Sequence, residues 1–186
     1  MNCITTFTGK HFDPLAPEAE AIDIRDIAHA LSLICRGNGH VKTFFSVGQH
    51  CIRCALEARA RGYSERIALA CLLHDASECY LSDVPSPFKK SLPDYQEAEE
   101  KLLHMIFEKF LGTVLTREEE EKVKEIDKDT LYFDLRELLG EKMDREEPQM
   151  KYAFSYQVLP FETVEKEYLE LFYSYRNLGI FRSGES

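Results

Sequence analysis

The stretch that decides the fold covers residues 67–78 and reads IALACLLHDASE. Its apolar positions recur at helical spacing, which predicts a helix that starts after an N-cap at Ser64 and runs to about Tyr80. An apolar run leads directly into His74 and Asp75, so this pair should lie at the edge of the core. Because a buried carboxylate must be paired, hydrogen-bonded or metal-bound, Asp75 requires a partner.

Glu78 extends the polar end of this predicted helix. It follows His74 by four residues and Asp75 by three, so helical spacing places the three side chains near one face. An imidazole and two carboxylates on one face suit a divalent cation. The alternative is a helix end where polar residues reach solvent, and for an isolated His-Asp dipeptide that alternative is the simpler one.

His50 is predicted to lie on the preceding helix. A short turn joins the two predicted helices, so they should pack as an antiparallel hairpin. His50 lies near the start of one helix and His74 near the end of the other, which allows both to lie at the same end of the hairpin. Taken alone, His50 is more simply explained as a hydrogen-bonded histidine at the edge of the core than as a ligand.

Asp127 interrupts an apolar face further along the chain. It is surrounded at helical offsets by Val123, Ile126 and Leu131, so an acid occupies the middle of a stripe that should be buried. Such an acid binds a metal, caps another helix or pairs with an arginine. Asp134 falls on the same face, where it would either support a metal ligand or form a surface ion pair.

The rest of the chain is predicted to be helical, with little strand signal. Capping boxes at 94–97 and 116–119 mark two helix starts, and Gly140 marks a helix end. Three prolines between residues 81 and 93 predict a loop. Besides the helix that carries His74, we expect helices over Asp23 to about Leu33, Ser46 to about Ala60, Asp94 to Phe110, Thr116 to about Leu139 and Phe161 to about Tyr175.

These elements predict an all-α protein. We expect residues 1–186 to form a single helical domain, with its core at about 20–140 and a C-terminal helical extension at about 150–186. The aromatic C-terminal helix, with Tyr168 and Phe172, could pack on its own bundle or on a partner in a homo-oligomer.

Composition narrows the classes of partner. The net charge of −10 disfavours charge-driven binding to extended nucleic acid, although a small anion can bind beside a divalent cation that inverts the local charge. No apolar run is long enough to span a bilayer, so no membrane partner is expected. Six cysteines without a recognisable secretory signal predict a cytoplasmic protein with free thiols.

The cysteines are interpreted as small core residues. Cys51 and Cys54 form a C-x-x-C pair, but they lie within a predicted helix and no second thiol pair follows at zinc-finger spacing. Cys71 and Cys79 lie on the next predicted helix. Lys89 is interpreted as one of a solvated pair of lysines in the loop.

Together, His50, His74-Asp75 and Asp127 resemble the H…HD…D pattern of the HD-domain superfamily of metal-dependent phosphohydrolases. HDASE at 74–78 and SDVPSPFK at 82–89 resemble the HDxxE and D-[VL]-P-[ST]-P-x-K stretches of one branch. That branch holds deoxynucleotide 5′-nucleotidases and phage-type deoxynucleotide phosphohydrolases. TGKHFD at 8–13 and DIAHALS at 26–32 are similar to its small members. The resemblance covers about residues 5–139 and implies an HD-type helical bundle.

The resemblance also implies roles for particular residues. The ligands of one divalent ion would be His50, His74, Asp75 and Asp127. Glu78 would act with the metal-bound Asp75 in catalysis, as an acid, a base or a carboxylate that orients water. The implied contacts to the nucleotide come from Arg36, Asp83 and Ser86.

The expected activity is metal-dependent hydrolysis of phosphate from a (deoxy)nucleotide, either a mono- or a triphosphate. In the monophosphate nucleotidases a tryptophan follows the arginine, whereas Gly37 follows Arg36 and the chain contains no tryptophan. The number of phosphates therefore stays open. The alternatives are an HD-type enzyme for a cyclic or signalling nucleotide, and a module that senses a nucleotide without turnover. The mixed ligand set admits Mn, Co, Zn, Ni, Fe or Mg.

Overall fold

A computed structural model describes residues 3–182, and the side chains of residues 3–177. Among these residues helices dominate, which confirms the all-α prediction. The helices are α1 (Ile24–Leu33), α2 (Val47–Ala60), α3 (Glu65–Leu73), α4 (Glu78–Leu81), α5 (Ser86–Lys89), α6 (Pro93–Leu111), α7 (Arg117–Asp134) and α8 (Phe161–Arg182). Residues 1–2 and 183–186 of the predicted domain lie outside the described part.

Short non-α elements complete the described chain. Strands β1 (Ile4–Thr5) and β2 (His11–Phe12) form an antiparallel pair in which Ile4 faces Phe12. Single 3-10 turns cover Ala19–Ala21 and Arg36–Gly39, and a π-helical turn, Leu135–Leu139, continues α7. Within the described chain no helix combines the length and the apolar character required to cross a bilayer.

The α2–α3 hairpin forms the centre of the bundle. Ser46 starts α2 through a capping box with Gln49, and the Ser64 side chain caps α3. Gly62 turns the chain between them with a φ of 83°, a left-handed value that glycine adopts without strain. The predicted hairpin is therefore confirmed, and it brings the start of α2 beside the end of α3.

The C-terminal helix α8 covers this hairpin together with α1. Tyr168 and Phe172 are fully buried, and the Tyr168 hydroxyl donates a hydrogen bond to the Leu72 carbonyl oxygen at 2.6 Å. Of the two packing partners considered for this aromatic helix, its own bundle accounts for these side chains. Tyr173 is half exposed.

The prediction of one helix from Ser64 to about Tyr80 was wrong. The helix α3 ends at Leu73, residues 74–77 form a turn, and α4 starts at Glu78. The His74 Nδ1 donates to the Cys71 carbonyl oxygen at 2.7 Å. In a continuing helix that carbonyl would accept from the amide of Asp75, so the imidazole competes with the helical hydrogen bond.

Other boundaries differ less from expectation. The capping box predicted at 94–97 is absent, because Pro93 takes the first turn of α6 and the N-cap Leu92 makes no side-chain bond. The capping box at Thr116 is confirmed. The α7 segment, which consists of α7 and the π-helical turn that continues it, ends at Gly140, as predicted. The predicted loop contains the short helix α5, and α8 continues past Tyr175.

Candidate metal centre

Four side chains from separate parts of the bundle meet at the end of the α2–α3 hairpin. His50 lies on α2 and His74 lies in the turn after α3. The centroids of their imidazole rings are 5.2 Å apart. Asp127 of α7 places Oδ1 at 3.0 Å from His50 Nε2 and 3.6 Å from His74 Nε2. Asp75 places Oδ2 at 3.3 Å from His74 Nε2 and 4.0 Å from His50 Nε2. The structure thus brings together all four predicted ligands.

The hydrogen bonds of the two histidines leave both Nε2 atoms directed at the carboxylates. His50 Nδ1 lies 2.9 Å from Asp134 Oδ2, and His74 Nδ1 contacts the Cys71 carbonyl. Both partners can only accept, so each Nδ1 carries a proton and donates it. His74 Nε2 is buried and has no hydrogen-bond partner among the described residues. Two imidazole nitrogens facing carboxylates need a cation between them, and a divalent ion fits this donor set.

Without a bound ion, the surroundings of His50 and His74 favour the protonated forms of both imidazoles. Burial favours the neutral imidazole, and so does Arg36, but hydrogen bonds to Asp127 and Asp134 outweigh both and hold the pKa of His50 well above its usual value. The pKa of His74 is also raised, because Asp75 and Asp127 outweigh its burial. Despite its own burial, Asp127 accepts from His50 and faces His74 Nε2 at 3.6 Å, and the two imidazoles lower the pKa of its carboxyl group. The group can therefore hold a metal ion in place of these protons.

Asp134 contacts His50 on the side of the imidazole that faces away from the other predicted ligands. Its Oδ2 accepts from His50, and its Oδ1 accepts from Arg53 Nη1 at 3.4 Å and from the Tyr156 hydroxyl at 2.9 Å. Of the two roles considered for Asp134, the buried supporting role is the one observed. Because it holds the proton on Nδ1, this carboxylate orients His50 with Nε2 toward the other ligands.

Glu78 lies beside the four predicted ligands, at the start of α4. It is buried, and its Oε2 has no hydrogen-bond partner among the described residues. Burial, reinforced by the negative charges of Asp75 and Asp83, holds the pKa of the Glu78 carboxyl well above its usual value. A raised pKa makes the protonated form of the Glu78 carboxyl group easier to reach, so that this group can donate a proton as well as accept one.

A cleft of about 290 Å³, termed the Arg36 cleft, opens next to Glu78. Its polar lining contains all three predicted substrate contacts, together with Lys89. Its apolar wall comes mainly from Val41 and the end of the α7 segment, through Leu131, Leu135, Leu138 and Leu139. The Arg36 guanidinium lies 3.5 Å from both Asp75 and Asp134, measured from different nitrogens.

Gly37, which follows Arg36, lies in this cleft, and its backbone conformation disfavours a bulky side chain such as that of tryptophan. Its backbone has a φ of 59°, in the left-handed region that a bulky residue adopts only with strain. The space above it is bounded by Val41 and Leu139, each within 4 Å of where a Cβ atom would lie. An aliphatic surface therefore lies beside Arg36.

A second cleft, of about 350 Å³, lies on the other side of the centre and is termed the Leu103 cleft. It shares Asp75, Lys89 and Asp127 with the Arg36 cleft, and its apolar lining includes Leu103 and Phe107 of α6. Lys89 pairs with Glu99 at 2.7 Å between the two clefts. The interpretation of Lys89 as a solvated lysine was therefore wrong, because α5 turns it toward the centre.

Sequence reasoning missed Arg53, Tyr156 and the orientation of Cys54. Arg53 and Cys54 follow His50 by three and four residues on α2, and this helical spacing was the available signal. Tyr156 had no such signal, because it lies in an irregular segment after Gly140. Cys51, Cys54 and Cys71 are buried, as predicted for core residues.

Two proteins resemble the chain in sequence. It is 43% identical over 110 residues to the uncharacterized protein YfdR of Escherichia coli (strain K12), a match that covers 59% of each chain. It is 33% identical over 139 residues to the uncharacterized protein RCAP_rcc00048 of Rhodobacter capsulatus, a match that covers 72% of this chain and 71% of that protein. No protein-family model matches the chain.

Proposed function

The chain belongs to the family of the Rhodobacter capsulatus protein RCAP_rcc00048, and we propose that it is a metal-dependent phosphohydrolase of the HD-domain type that acts on a (deoxy)nucleotide. The observation that carries the proposal is the meeting of His50, His74, Asp75 and Asp127, in which a carboxylate oxygen of each aspartate lies within 4.0 Å of both Nε2 atoms. His74 Nε2 is buried there without a hydrogen-bond partner among the described residues. Their order along the chain matches the HD pattern, and their side chains converge although they come from three parts of the bundle.

The residues around the centre suit hydrolysis. His50, His74, Asp75 and Asp127 would hold a divalent ion, which would supply Lewis-acid chemistry toward a phosphoryl oxygen and toward water. Glu78, buried beside Asp75, accepts a proton from the attacking water or donates one to the leaving oxygen. The water oxygen forms a bond to phosphorus, the bond from phosphorus to the leaving oxygen breaks, and that oxygen receives a proton.

The Arg36 cleft supports a phosphorylated substrate. The planar guanidinium of Arg36 can donate two hydrogen bonds to one phosphate, and Lys89 adds a second positive charge. Asp83 and Ser86 provide an acceptor and a hydroxyl suited to a sugar, beside the aliphatic wall formed by Val41 and the end of the α7 segment. This combination of positive charges, polar groups suited to a sugar and apolar surface favours binding of a nucleotide over binding of inorganic phosphate.

The experiment that tests the proposal is phosphate release from a panel of nucleoside and deoxynucleoside mono- and triphosphates. Each reaction is run with Mn²⁺, Co²⁺ or Mg²⁺ and with a chelator. We expect release that depends on the metal and is abolished in Asp75→Asn. If every nucleotide stays intact in the presence of every ion while nucleotides still bind, the proposal fails and the chain is a sensor.

A further inference from the structure

The Cys54 thiol faces the metal centre. Cys54 follows His50 by one helical turn on α2, so their side chains lie on the same face of that helix. The Cys54 Sγ atom lies 3.6 Å from His50 Nε2, and the residue is 1% exposed. One ligand atom each of His50, Cys54, His74 and Asp127 lies within 4.8 Å of the others. The sulfur therefore lies where a shared ion would bind.

The separation between sulfur and nitrogen matches that of ligands on one ion. With a metal–sulfur bond of about 2.3 Å and a metal–nitrogen bond of about 2.05 Å, a tetrahedral angle separates the two atoms by about 3.5 Å. The observed 3.6 Å agrees with this value. A weak S–H···N hydrogen bond also suits the distance, but His74 Nε2, buried in the same group without a partner, points to an ion.

We propose that Cys54 is a further ligand of this centre and that it makes the centre select borderline-soft ions such as Zn²⁺, Co²⁺ or Fe²⁺ over Mg²⁺. The inference rests on the metal centre of the proposed function and identifies the class of ion. Thiolate and imidazole ligands favour these ions, whereas Mg²⁺ prefers oxygen ligands. The thiol releases its proton to solvent when the ion binds.

The neighbouring cysteines are placed differently. Cys51 groups with His74 and Asp75 but not with His50 or Asp127, and Cys71 belongs to neither group. Cys71 is a buried cysteine of the same hairpin outside both groups, so Cys71→Ala is the matched control for Cys54→Ala, and Cys51→Ala tests the competing assignment.

Cobalt absorption tests the assignment on the full chain. A thiolate bound to Co²⁺ gives a charge-transfer band in the near ultraviolet that imidazole and carboxylate ligands do not give. We expect this band in the wild-type protein titrated with Co²⁺, its loss in Cys54→Ala, and its retention in Cys71→Ala. If the band disappears in Cys51→Ala and persists in Cys54→Ala, the assignment to Cys54 is wrong.

If Cys54→Ala does not fold, the wild-type spectrum and that of Cys51→Ala together test the assignment: the band should be present in both. Co²⁺ bound with histidine and carboxylate ligands but without the charge-transfer band overturns the proposal, while the metal centre and the proposed function stand. If neither Co²⁺ nor Zn²⁺ binds at all, the proposed Cys54 ligand and its selectivity fail; the proposed function fails as well only if Mn²⁺ and Mg²⁺ do not bind either.

Metal competition provides a second measurement. In Cys54→Ser we expect Zn²⁺ affinity to fall by about tenfold or more, while Mg²⁺ affinity changes by less than about threefold. An equal loss of affinity for both ions would indicate a merely structural effect and contradict the proposed selectivity.

Discussion

At the scale of single residues, His74 shows how one side chain determines both a helix end and a site. Its Nδ1 donates a hydrogen bond to the Cys71 carbonyl oxygen, and this bond ends α3. Its Nε2 is then directed toward Asp75 and Asp127. The same hydrogen bond that breaks the helix thus fixes the tautomer that a metal ligand requires.

Glu78 is predicted to serve proton transfer rather than metal binding. Glu78→Gln keeps the shape of the side chain but cannot exchange a proton. Turnover should therefore fall by about 10²- to 10⁴-fold, while the affinity for Co²⁺ stays near that of the wild type. Steady-state kinetics and calorimetric metal titration measure the two effects. Full turnover in Glu78→Gln would remove Glu78 from the mechanism.

The charge of Asp83 should influence the pH profile through Glu78. Burial and the negative charges of Asp75 and Asp83 raise the pKa of Glu78. Asp83→Asn removes one of these charges, so ionised Glu78 becomes easier to form and its pKa falls. The limb of the kcat–pH profile that reports Glu78 should move to lower pH. Ser86→Ala, an uncharged change in the same loop, should leave the limb in place; a common shift in both variants would contradict the electrostatic explanation.

At the scale of elements, the irregular segment after Gly140 completes the centre. Its backbone is held by Glu57 of α2, which accepts hydrogen bonds from the amides of Lys151 and Tyr152. The Arg53 guanidinium lies about 4 Å from the centroids of the aromatic rings of Phe45, Phe154 and Tyr156. It also donates to the Ser155 carbonyl and to Asp134. This segment therefore positions His50 through Asp134.

The relay from Tyr156 to His50 predicts an effect on metal affinity. Tyr156→Phe removes the hydroxyl that donates to Asp134 and retains the ring that packs on Arg53. The affinity for Co²⁺ should fall, but by less than the roughly tenfold loss that is usual when a direct partner of a ligand is removed, because Tyr156 acts on His50 through Asp134. Tyr152→Phe, in the same segment but without a described contact to Asp134, is the control. Unchanged affinity in Tyr156→Phe, measured by calorimetry, would show that Asp134 positions His50 without the Tyr156 hydroxyl.

At the scale of the whole molecule, the acidic chain concentrates carboxylates where a cation would bind. The net charge is −10, and the carboxylates of Asp75, Asp127 and Glu78 lie at the centre, between two clefts. Repulsion among these groups is relieved by protons on the histidines or by a bound ion. Folding stability should therefore be linked to metal binding.

Metal binding is expected to stabilise the folded chain measurably. At a free Co²⁺ concentration of about 100 times Kd, a site present only in the folded state adds about 2.7 kcal/mol, which raises Tm by about 5–10 °C. A chelator should reverse the shift, and calorimetric unfolding of His74→Ala should show no shift. A similar rise in His74→Ala would place the stabilising ion elsewhere.

The helices followed from sequence because their signals are local, whereas the four ligands were predicted as a set from the resemblance of their order to the HD pattern. Helix starts at Ser46, Ser64 and Thr116 depend on caps within three residues, and Asp127 stood out against the apolar periodicity of its own helix. The break after Leu73 did not follow, because it depends on a side-chain hydrogen bond that competes with the helix.

The sequence by itself determined an all-helical bundle and the order of the residues that face its centre. Only the tertiary structure decided that Asp134, Arg53 and Tyr156 support His50, and that Cys54 faces the other ligands. The physical reason is range. Capping and periodicity act within a few residues, whereas the support of His50 joins side chains separated by up to about a hundred residues, and it exists only when the bundle is packed.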